Sequence, residues 1–333
     1  MNKKEVVEIL QAVKPALANK EVVEQTTSFI FANKRVFTFN DEVMISHPIA
    51  LKIKGAVPAK ELFGLLSQVK TEEVSIKQTE NEGSIEGGTF KAGIALTEKI
   101  TLPIKDIKIS DGWKKLSKKF CEAVEFCLFS ASTDYSKVAL THIHVSKEGF
   151  VESADNFRVT RYTDKSIKAS MLIPVTAAKE LVKYEPTHYQ RDKGWIHCKN
   201  KDDVVFSFRT HISKYPDTSK VLKMKGEVIK FPPVLADSLS NAETLSKEEI
   251  NGDRFVTVSL KGKKMSVKSE GDVGWYKDTF NLRKAYGKDE MSFEINSKSF
   301  REILTHLKKG TVTQNKLKFE GDNFVHVVIL KGV

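Results

Sequence analysis

Lysine and arginine side chains recur at helical spacing in two parts of the chain, where they could bind phosphate groups. At about 100° per residue, four lysines of the segment from Trp113 fall on one side of a predicted helix, opposite an apolar side; they are Lys114, Lys115, Lys118 and Lys119. A second predicted helix, from Ser297, repeats the pattern with Lys298, Arg301, Lys308 and Lys309. A solvated helix face would explain either helix alone. Because the pattern recurs, we favour sequence-independent attraction to a polyanion.

The overall charge supports the same interpretation. Lys plus Arg number 54 and Asp plus Glu number 43, which gives a net charge of +11. An excess of this size makes nucleic acid the leading candidate partner, although anionic lipids and ribosomes also attract basic proteins. Lys14 and Lys60 add cations to two further predicted helices.

Motifs for catalysis and for metal binding are absent from the sequence. It contains no P-loop, no GxSxG and no HExxH. The three cysteines, Cys121, Cys127 and Cys198, are not spaced as zinc ligands. We therefore predict no enzyme activity, no catalytic residues, no cofactor and no metal ion. Two alternatives remain: a single-strand-binding protein, with aromatic residues interleaved among cations, and a metal-dependent nuclease, with carboxylates converging at strand ends.

Three segments of the chain share one order of elements. From Gly55, Met171 and Phe293, each is predicted to run strand, helix, strand. Each helix begins at a residue suited to a helix start, namely Pro58, Pro174 or Asn296, at intervals of 116 and 122 residues. A second helix precedes each copy, near Lys3, Trp113 and Phe231, and alternating apolar runs between the helices indicate hairpins.

The repeats predict an α+β fold made of three tandem copies of one domain, each with two helices packed on antiparallel sheets. The predicted domains are residues 1–110, 111–226 and 227–333. Each copy leaves sheet edges exposed, and pairing the sheets of adjacent copies side by side would cover them. We therefore expect the copies to share sheets and the chain to form a ring.

The segment Leu140–Tyr162 resembles the second-domain region of bacterial β sliding clamps, the DNA polymerase III beta subunit family. Where that family has Ala-Thr-Asp-Gly-His-Arg-Leu, this chain has Ser153-Ala154-Asp155-Asn156-Phe157-Arg158-Val159. Tyr215-Pro216-Asp217, followed by Val221-Leu222, resembles the family's Phe-Pro-Asp-Tyr and Val-Leu-Pro. The final HVVILKGV is similar to the family's last strand. On these matches and the threefold repeat, the chain is identified as a divergent or phage-encoded member of the family.

The resemblance implies a polymerase processivity factor: a head-to-tail homodimeric ring that encircles double-stranded DNA, with basic helices lining the hole. It implies a replicative DNA polymerase and a clamp-loader ATPase as partners, with a cytoplasmic, nucleoid-associated location and no membrane. Ring closure would pair Phe90–Ile94 of one copy with Trp275–Phe280 of another. Loop residues implied to touch DNA are Lys20, Tyr135 and Lys137.

The family also docks apolar peptides in a pocket between its second and third domains. Carried over by position, the pocket residues are Leu140, Ala154, Asn156, Phe157, Arg158, Val159, Val327, Val328, Ile329 and Leu330. Arg158 could pair with a carbonyl or carboxylate of the peptide. Asn156 and Phe157 replace the family's Gly-His, and the chain lacks the family's terminal Met-Pro-Met, so we expect Phe157 to fill part of the pocket.

Overall fold

The computed structural model describes residues 1–79, 81–105, 107, 109, 111–192, 194–211, 213–249 and 252–332, without the side chains of residues 105, 288 and 289. The helices are α1 Lys3–Val13, α2 Ala59–Gln68, α3 Phe120–Cys127, α4 Val175–Leu181, α5 Ser219–Leu222, α6 Leu235–Leu245 and α7 Ser297–His306. Short 3-10 turns span Lys14–Ala16, Pro103–Lys105, Leu128–Ser130, Tyr135–Thr141 and Val182–Tyr184. No helix among these residues is long and apolar enough to cross a membrane.

The strands fall into four antiparallel sheets. In the first half of the chain they are β1 Ser28–Ala32, β2 Arg35–Phe39, β3 Val43–Pro48, β4 Gly55–Pro58, β5 Ser75–Gln78, β6 Glu82–Gly87, β7 Phe90–Ala95, β8 Lys114–Lys115, β9 His142–Ser146, β10 Phe150–Ala154 and β11 Arg158–Thr163. In the second half they are β12 Met171–Pro174, β13 His188–Asp192, β14 Trp195–Lys199, β15 Val205–Arg209, β16 Glu227–Lys230, β17 Phe255–Gly271, β18 Gly274–Asn296, β19 Lys309–Val312, β20 Lys316–Glu320, β21 Phe324–Ile329 and β22 Lys331–Gly332.

Contacts divide the chain into two compact units. The N-terminal unit is Met1–Glu125 with Lys168–Ile212, and the C-terminal unit is Phe126–Ile167 with Ser213–Val333. The predicted middle copy, residues 111–226, is thus divided between the two units. The three domain boundaries remain a prediction, because the strands of the middle copy have joined the sheets of its neighbours.

In the N-terminal unit, strands of the first and middle copies form one sheet in the order β4-β1-β2-β3-β15-β14-β13-β8. The joint lies between β3 and β15, where Ile45 faces Phe206 and Val43 faces Phe208. Trp195 of β14 packs in one apolar cluster with Phe39 and Met44. Strands β5, β6 and β7 form a second sheet in which β7 is an edge.

In the C-terminal unit, strands of the middle and last copies join in the order β9-β10-β11-β21-β20-β19-β16. The joint lies between β11 and β21, where Val159 faces Val327 and Thr160 faces His326. The sharing of sheets between neighbouring copies, which the repeats predicted, is therefore observed in both units. The long hairpin of β17 and β18 forms a further sheet with β22, which pairs with β18 at Phe293 and Glu294.

The expected helix starts are confirmed. Pro58, Pro174 and Asn296 are the N-cap residues of α2, α4 and α7. The Asn296 side chain accepts a hydrogen bond of 2.9 Å from the amide of Ser299, as a capping side chain does. The order strand, helix, strand occurs three times, as β4-α2-β5, β12-α4-β13 and β18-α7-β19.

The helix predicted from Trp113 is wrong in its first part. Lys114 and Lys115 form β8, which pairs with β13, and the amide of Leu116 donates to the carbonyl of Thr187. Helix α3 begins only at Phe120. The edge of β13 provides backbone hydrogen-bond partners for Lys114 and Lys115, which therefore extend as a strand. As a result, the four lysines do not share one helix face. Similarly, α7 ends at His306, so Lys308 lies beyond it and Lys309 begins β19.

Candidate functional site

Most of the predicted phosphate-binding cations are exposed, but not all are free. Lys114, Lys115 and Lys118 are exposed in the N-terminal unit. Lys119 instead pairs with Glu122 at 2.6 Å. In the C-terminal unit, Lys298 is exposed on α7, and Lys308 and Lys309 are exposed just after it.

Arg301 does not present a free charge. Its Nη2 donates to Glu243 Oε2 at 2.6 Å and its Nη1 to Ser240 Oγ at 3.1 Å, so it links α7 to α6. The prediction that Arg301 lies on an open cationic face is therefore corrected, because an acid from the neighbouring helix neutralises it.

A groove of about 640 Å³ between α1 and α2 gathers cations of the N-terminal unit. Lys14 and Lys60 both line it, and Lys14 Nζ lies 5.8 Å from the centre of the Phe63 ring. The two side chains that the sequence assigned to different helices thus meet in one place. Glu61 lines the groove as well, so an anion there would meet two ammonium groups and one carboxylate.

Lys20 lies exposed on a loop that Gln25 shapes. Gln25 adopts a positive φ of 67°, and its buried side chain bonds the carbonyl of Lys99 and the amide of Thr101. Tyr135 is 70% exposed. Lys137 Nζ donates to Asn156 Oδ1 at 2.6 Å, so this predicted DNA contact lies beside a residue predicted for the peptide pocket.

An apolar cluster lies at the joint between β11 and β21. Ala154, Val159 and Val327 are buried in it. Partly buried side chains pack against these three, namely Leu140, Val221, Leu222, Met224 and Val325. We call these eight residues the pocket cluster. Four of them were predicted as pocket residues, and the structure brings those four together.

Val328 and Leu330 do not belong to the pocket cluster. Side chains alternate between the two faces of a strand, so Val325 and Val327 face the cluster while Val328 and Leu330 are buried in the main core of the C-terminal unit. Their assignment to the pocket is corrected on this ground. Ile329 follows the alternation of Val327 and is 43% exposed, so it can extend the apolar surface.

The sequence reasoning missed Val221, Leu222, Met224 and Val325 as members of the cluster. Apolar and cationic residues are interspersed in the run Lys220-Val221-Leu222-Lys223-Met224-Lys225. Such a mixture predicts a segment that is half exposed to solvent. Val325 was detectable by counting two residues back from Val327 along the last strand.

Arg158 is already paired within the chain. Its Nε lies 2.9 Å from Asp155 Oδ2 and its Nη1 lies 2.7 Å from Glu302 Oε2. With 11% of its side chain exposed, it braces the β10–β11 turn against α7 more than it offers a free donor to a peptide.

Phe157 packs against Phe255. Its ring meets Phe255 edge to face at 6.0 Å between centroids, and its carbonyl accepts from the amide of Ile329 at 2.7 Å. Lys331 Nζ lies 3.6 Å from the centre of the Phe255 ring and also pairs with Glu249. Phe157 is not a member of the pocket cluster, so the expectation that it fills part of the pocket stays a prediction.

A buried carboxylate holds the segment that carries Val221 and Leu222. Glu152, on β10, is 2% exposed. Its Oε2 accepts from Arg161 Nη2 at 2.8 Å and from Thr218 Oγ1 at 2.5 Å, while Oε1 lies 2.8 Å from His144 Nδ1. Because Thr218 immediately precedes α5, this network fixes the start of the helix that carries Val221 and Leu222.

The charge state of Glu152 follows from these contacts. Burial alone would raise the pKa of Glu152, but the hydrogen bonds from His144 and Thr218 and the charge of Arg161 outweigh it. The pKa therefore lies below its ordinary value of 4.5, and the carboxylate is ionised at neutral pH.

We searched the described residues for side chains that could bind a metal ion. Within the described residues, no three His, Cys, Asp or Glu side chains come close enough together to hold an ion. Burial raises the pKa of the Cys121 thiol to about 11 and raises those of Cys127 and Cys198 further, so these thiols are neutral.

Solved structures with the same architecture match the chain over its full length. The beta chain of DNA polymerase III from Streptococcus pneumoniae superposes with a TM-score of 0.85 at 18% identity, covering 100% of this chain and 98% of that one. A sliding clamp from Bartonella birtlesii bound to griselimycin gives 0.85 at 14%, covering 100% and 98%. The DNA polymerase III subunit beta from Pseudomonas aeruginosa gives 0.83 at 14%, covering 100% and 99%.

The chain has the sliding-clamp fold. The predicted α+β class and the resemblance to bacterial β clamps are thereby confirmed at the level of fold. Neither protein-family profiles nor curated protein sequences give a match to the chain. At 14–18% identity, the sliding-clamp fold of this chain is established by its structure and not by its sequence.

Proposed function

We propose that the chain is a DNA sliding clamp, a non-catalytic processivity factor whose homodimeric ring encircles duplex DNA. The observation that carries this proposal is the full-length likeness to three clamps, with no large segment unmatched on either side. A closed ring retains DNA by topology, so phosphate contacts can stay weak and sequence-independent. Residues 1–110, 111–226 and 227–333 would be its three clamp domains.

Two strand edges support ring closure. Strand β7 is the edge of its three-stranded sheet. Among the described strands, β18 pairs with β17 alone from Trp275 to Phe280, and Trp275 is 68% exposed. Pairing Phe90–Ile94 of one copy with Trp275–Phe280 of a second would cover both edges and bury the tryptophan.

The phosphate contacts would come from exposed cations that form no ion pair within 4.0 Å among the residues that the structure describes. These are Lys20, Lys114, Lys115, Lys118, Lys298, Lys308 and Lys309, together with the Lys14 and Lys60 groove. Because each exposed lysine contributes to counterion release, binding should weaken steeply as salt rises. A clamp-loader ATPase and a replicative polymerase are the partners that such a ring requires, and the cytoplasm is the proposed location.

Retention on circular DNA tests the ring. After loading onto a nicked circle, the protein is expected to stay bound, and cutting the circle once should release it, because a ring slides off free ends. Its solution mass should be about twice the 37.5 kDa of one chain. Equal retention on circular and linear duplexes would contradict the proposal. Degradation in a divalent metal would indicate the nuclease alternative, and preference for unpaired DNA by a monomer the single-strand-binding one.

We further propose that partners dock a short apolar peptide on the pocket cluster. Val221→Asp is expected to weaken binding of a Leu- and Phe-containing peptide by at least roughly 10-fold, because a carboxylate would enter an apolar contact. Val228→Asp is the matched control, since Val228 is 51% exposed on β16 and lies outside the cluster. Fluorescence anisotropy measures both. Equal loss in the two variants would argue against the pocket.

A further inference from the structure

We propose that the pocket cluster selects peptides that carry acidic residues beside their apolar anchor. This inference rests on the docking function proposed above, and it concerns which partner the site accepts.

The segment of residues 220–225, which we call the outer wall of the pocket cluster, carries both apolar and cationic side chains. Val221, Leu222 and Met224 are half-buried and pack against the cluster. Between and beside them, Lys220, Lys223 and Lys225 are exposed. Each ammonium group therefore emerges one or two residues from an apolar wall position. A peptide that lays an apolar side chain against this wall passes within reach of these cations.

Acids near the wall leave these lysines largely uncompensated. Among the described residues, none of Lys220, Lys223 and Lys225 forms an ion pair within 4.0 Å. Asp155 and Glu302 are both bound by Arg158. Asp217 caps the amide of Ser219, and of the three lysines only Lys220 contributes to lowering its pKa.

The turn that carries Leu140 adds a further cation. Lys137 precedes Leu140 by three residues on the Tyr135–Thr141 turn and is exposed. Its ammonium donates to the neutral amide of Asn156 and forms no ion pair within 4.0 Å among the described residues. After the hydrogen bonds from Ser136, the charge of Lys137 also contributes to lowering the pKa of Asp134, so this acid offsets part of it. Cations therefore lie near Leu140 as well as beside Val221, Leu222 and Met224.

A peptide fits these observations better than a nucleic acid. The lysines lie between and beside apolar side chains that pack against the pocket cluster. Only a ligand with both apolar and anionic groups would contact both kinds of side chain. Exposed ion pairs are individually weak, roughly 1.5- to 5-fold in affinity each, so two acidic residues should together give about 10-fold. Such a preference decays with salt, because exposed charges are screened within about 10 Å at 0.1 M and about 3 Å at 1 M.

The test uses the full-length protein and two labelled peptides with the same Leu and Phe anchor, one flanked by two Asp and the other by two Asn. The triple variant Lys220→Gln, Lys223→Gln, Lys225→Gln is compared with a matched control, Lys263→Gln, Lys264→Gln, Lys284→Gln. The control lysines are exposed on β17 and β18, outside the pocket cluster. Thermal unfolding checks that both variants fold.

Anisotropy is expected to show about 10-fold tighter binding of the Asp peptide at about 0.1 M salt, and near equality at about 1 M. The first triple variant should lose this preference and keep its affinity for the Asn peptide, while the control keeps the preference. Equal affinity of the unmodified protein for both peptides would overturn the charge selection and leave the docking function standing. Binding of neither peptide would overturn both.

Two further outcomes would also contradict the inference. Loss of the preference in the control variant would show that overall charge, not the wall, is responsible. If the first triple variant lost retention on circular DNA yet still discriminated between the peptides, the wall lysines would be DNA contacts.

Discussion

Glu152→Ala is expected to lower the free energy of unfolding of the C-terminal unit by about 3–5 kcal/mol, as removal of one member of a buried ion pair does. Without the carboxylate, the Arg161 guanidinium would keep a positive charge in a site where its only ion-pair partner among the described residues is gone. Thr218 and His144 would lose an acceptor as well. Denaturant unfolding, with amide hydrogen exchange to locate the loss on β9–β11, measures the effect.

The control for this prediction is Glu148→Ala on the turn between β9 and β10. Glu148 is exposed and forms no ion pair among the described residues, so its loss should change the free energy by less than about 0.5 kcal/mol. The pH dependence gives a second check. Since the pKa of Glu152 is lowered by folding, its contribution is present above pH 4.5 and is lost as pH falls through the folded pKa. Glu152→Ala should flatten that part of the stability curve, and an unchanged curve would contradict the assignment.

Phe300→Ala is expected to lower the free energy of unfolding by about 3–5 kcal/mol through the cavity it leaves. Phe300, on α7, is fully buried, and its ring meets Phe231 edge to face at 5.3 Å and Phe319 at 6.2 Å. These rings connect α7 to the end of the sheet formed by β20, β19 and β16. Strands that close-pack around aromatic rings cannot collapse to fill the vacated volume.

Phe300→Leu provides the graded comparison, because it keeps an apolar side chain and should cost less than the alanine. Val273→Ala, at an 85% exposed position of the β17–β18 turn, should be nearly neutral. Denaturant midpoints rank the three variants. An alanine variant no less stable than the leucine variant would mean that the three rings do not form a tightly packed core.

Local signals in the sequence predicted the starts of α2, α4 and α7. Asn296 and the two prolines mark helix starts through short-range backbone chemistry that a single sequence displays. The family resemblance, and not periodicity, brought Val159 and Val327 together as pocket residues, and they face each other across β11 and β21. Counting alternate residues along the last strand would have separated Val328 and Leu330 from Val327 without any structure.

Long-range partners could not be predicted in the same way. Lys114 and Lys115 look helical by spacing, yet the edge of β13, over 70 residues away, draws them into a strand. Arg301 looks free, yet Glu243 is 58 residues distant in sequence and adjacent in space. Glu152 gave no signal at all, because its partner Thr218 lies 66 residues further on.

The joints between copies limit how the protein can be cut. A fragment of residues 111–226 would keep β11 and β15 but lose β21 and β3, with which they pair in the intact chain. The unpaired edges of these strands, which contain valine and phenylalanine, would then be available to pair with a strand of another chain, as in aggregation or domain swapping. The middle repeat of this polypeptide therefore needs strands from both neighbouring repeats to complete its sheets.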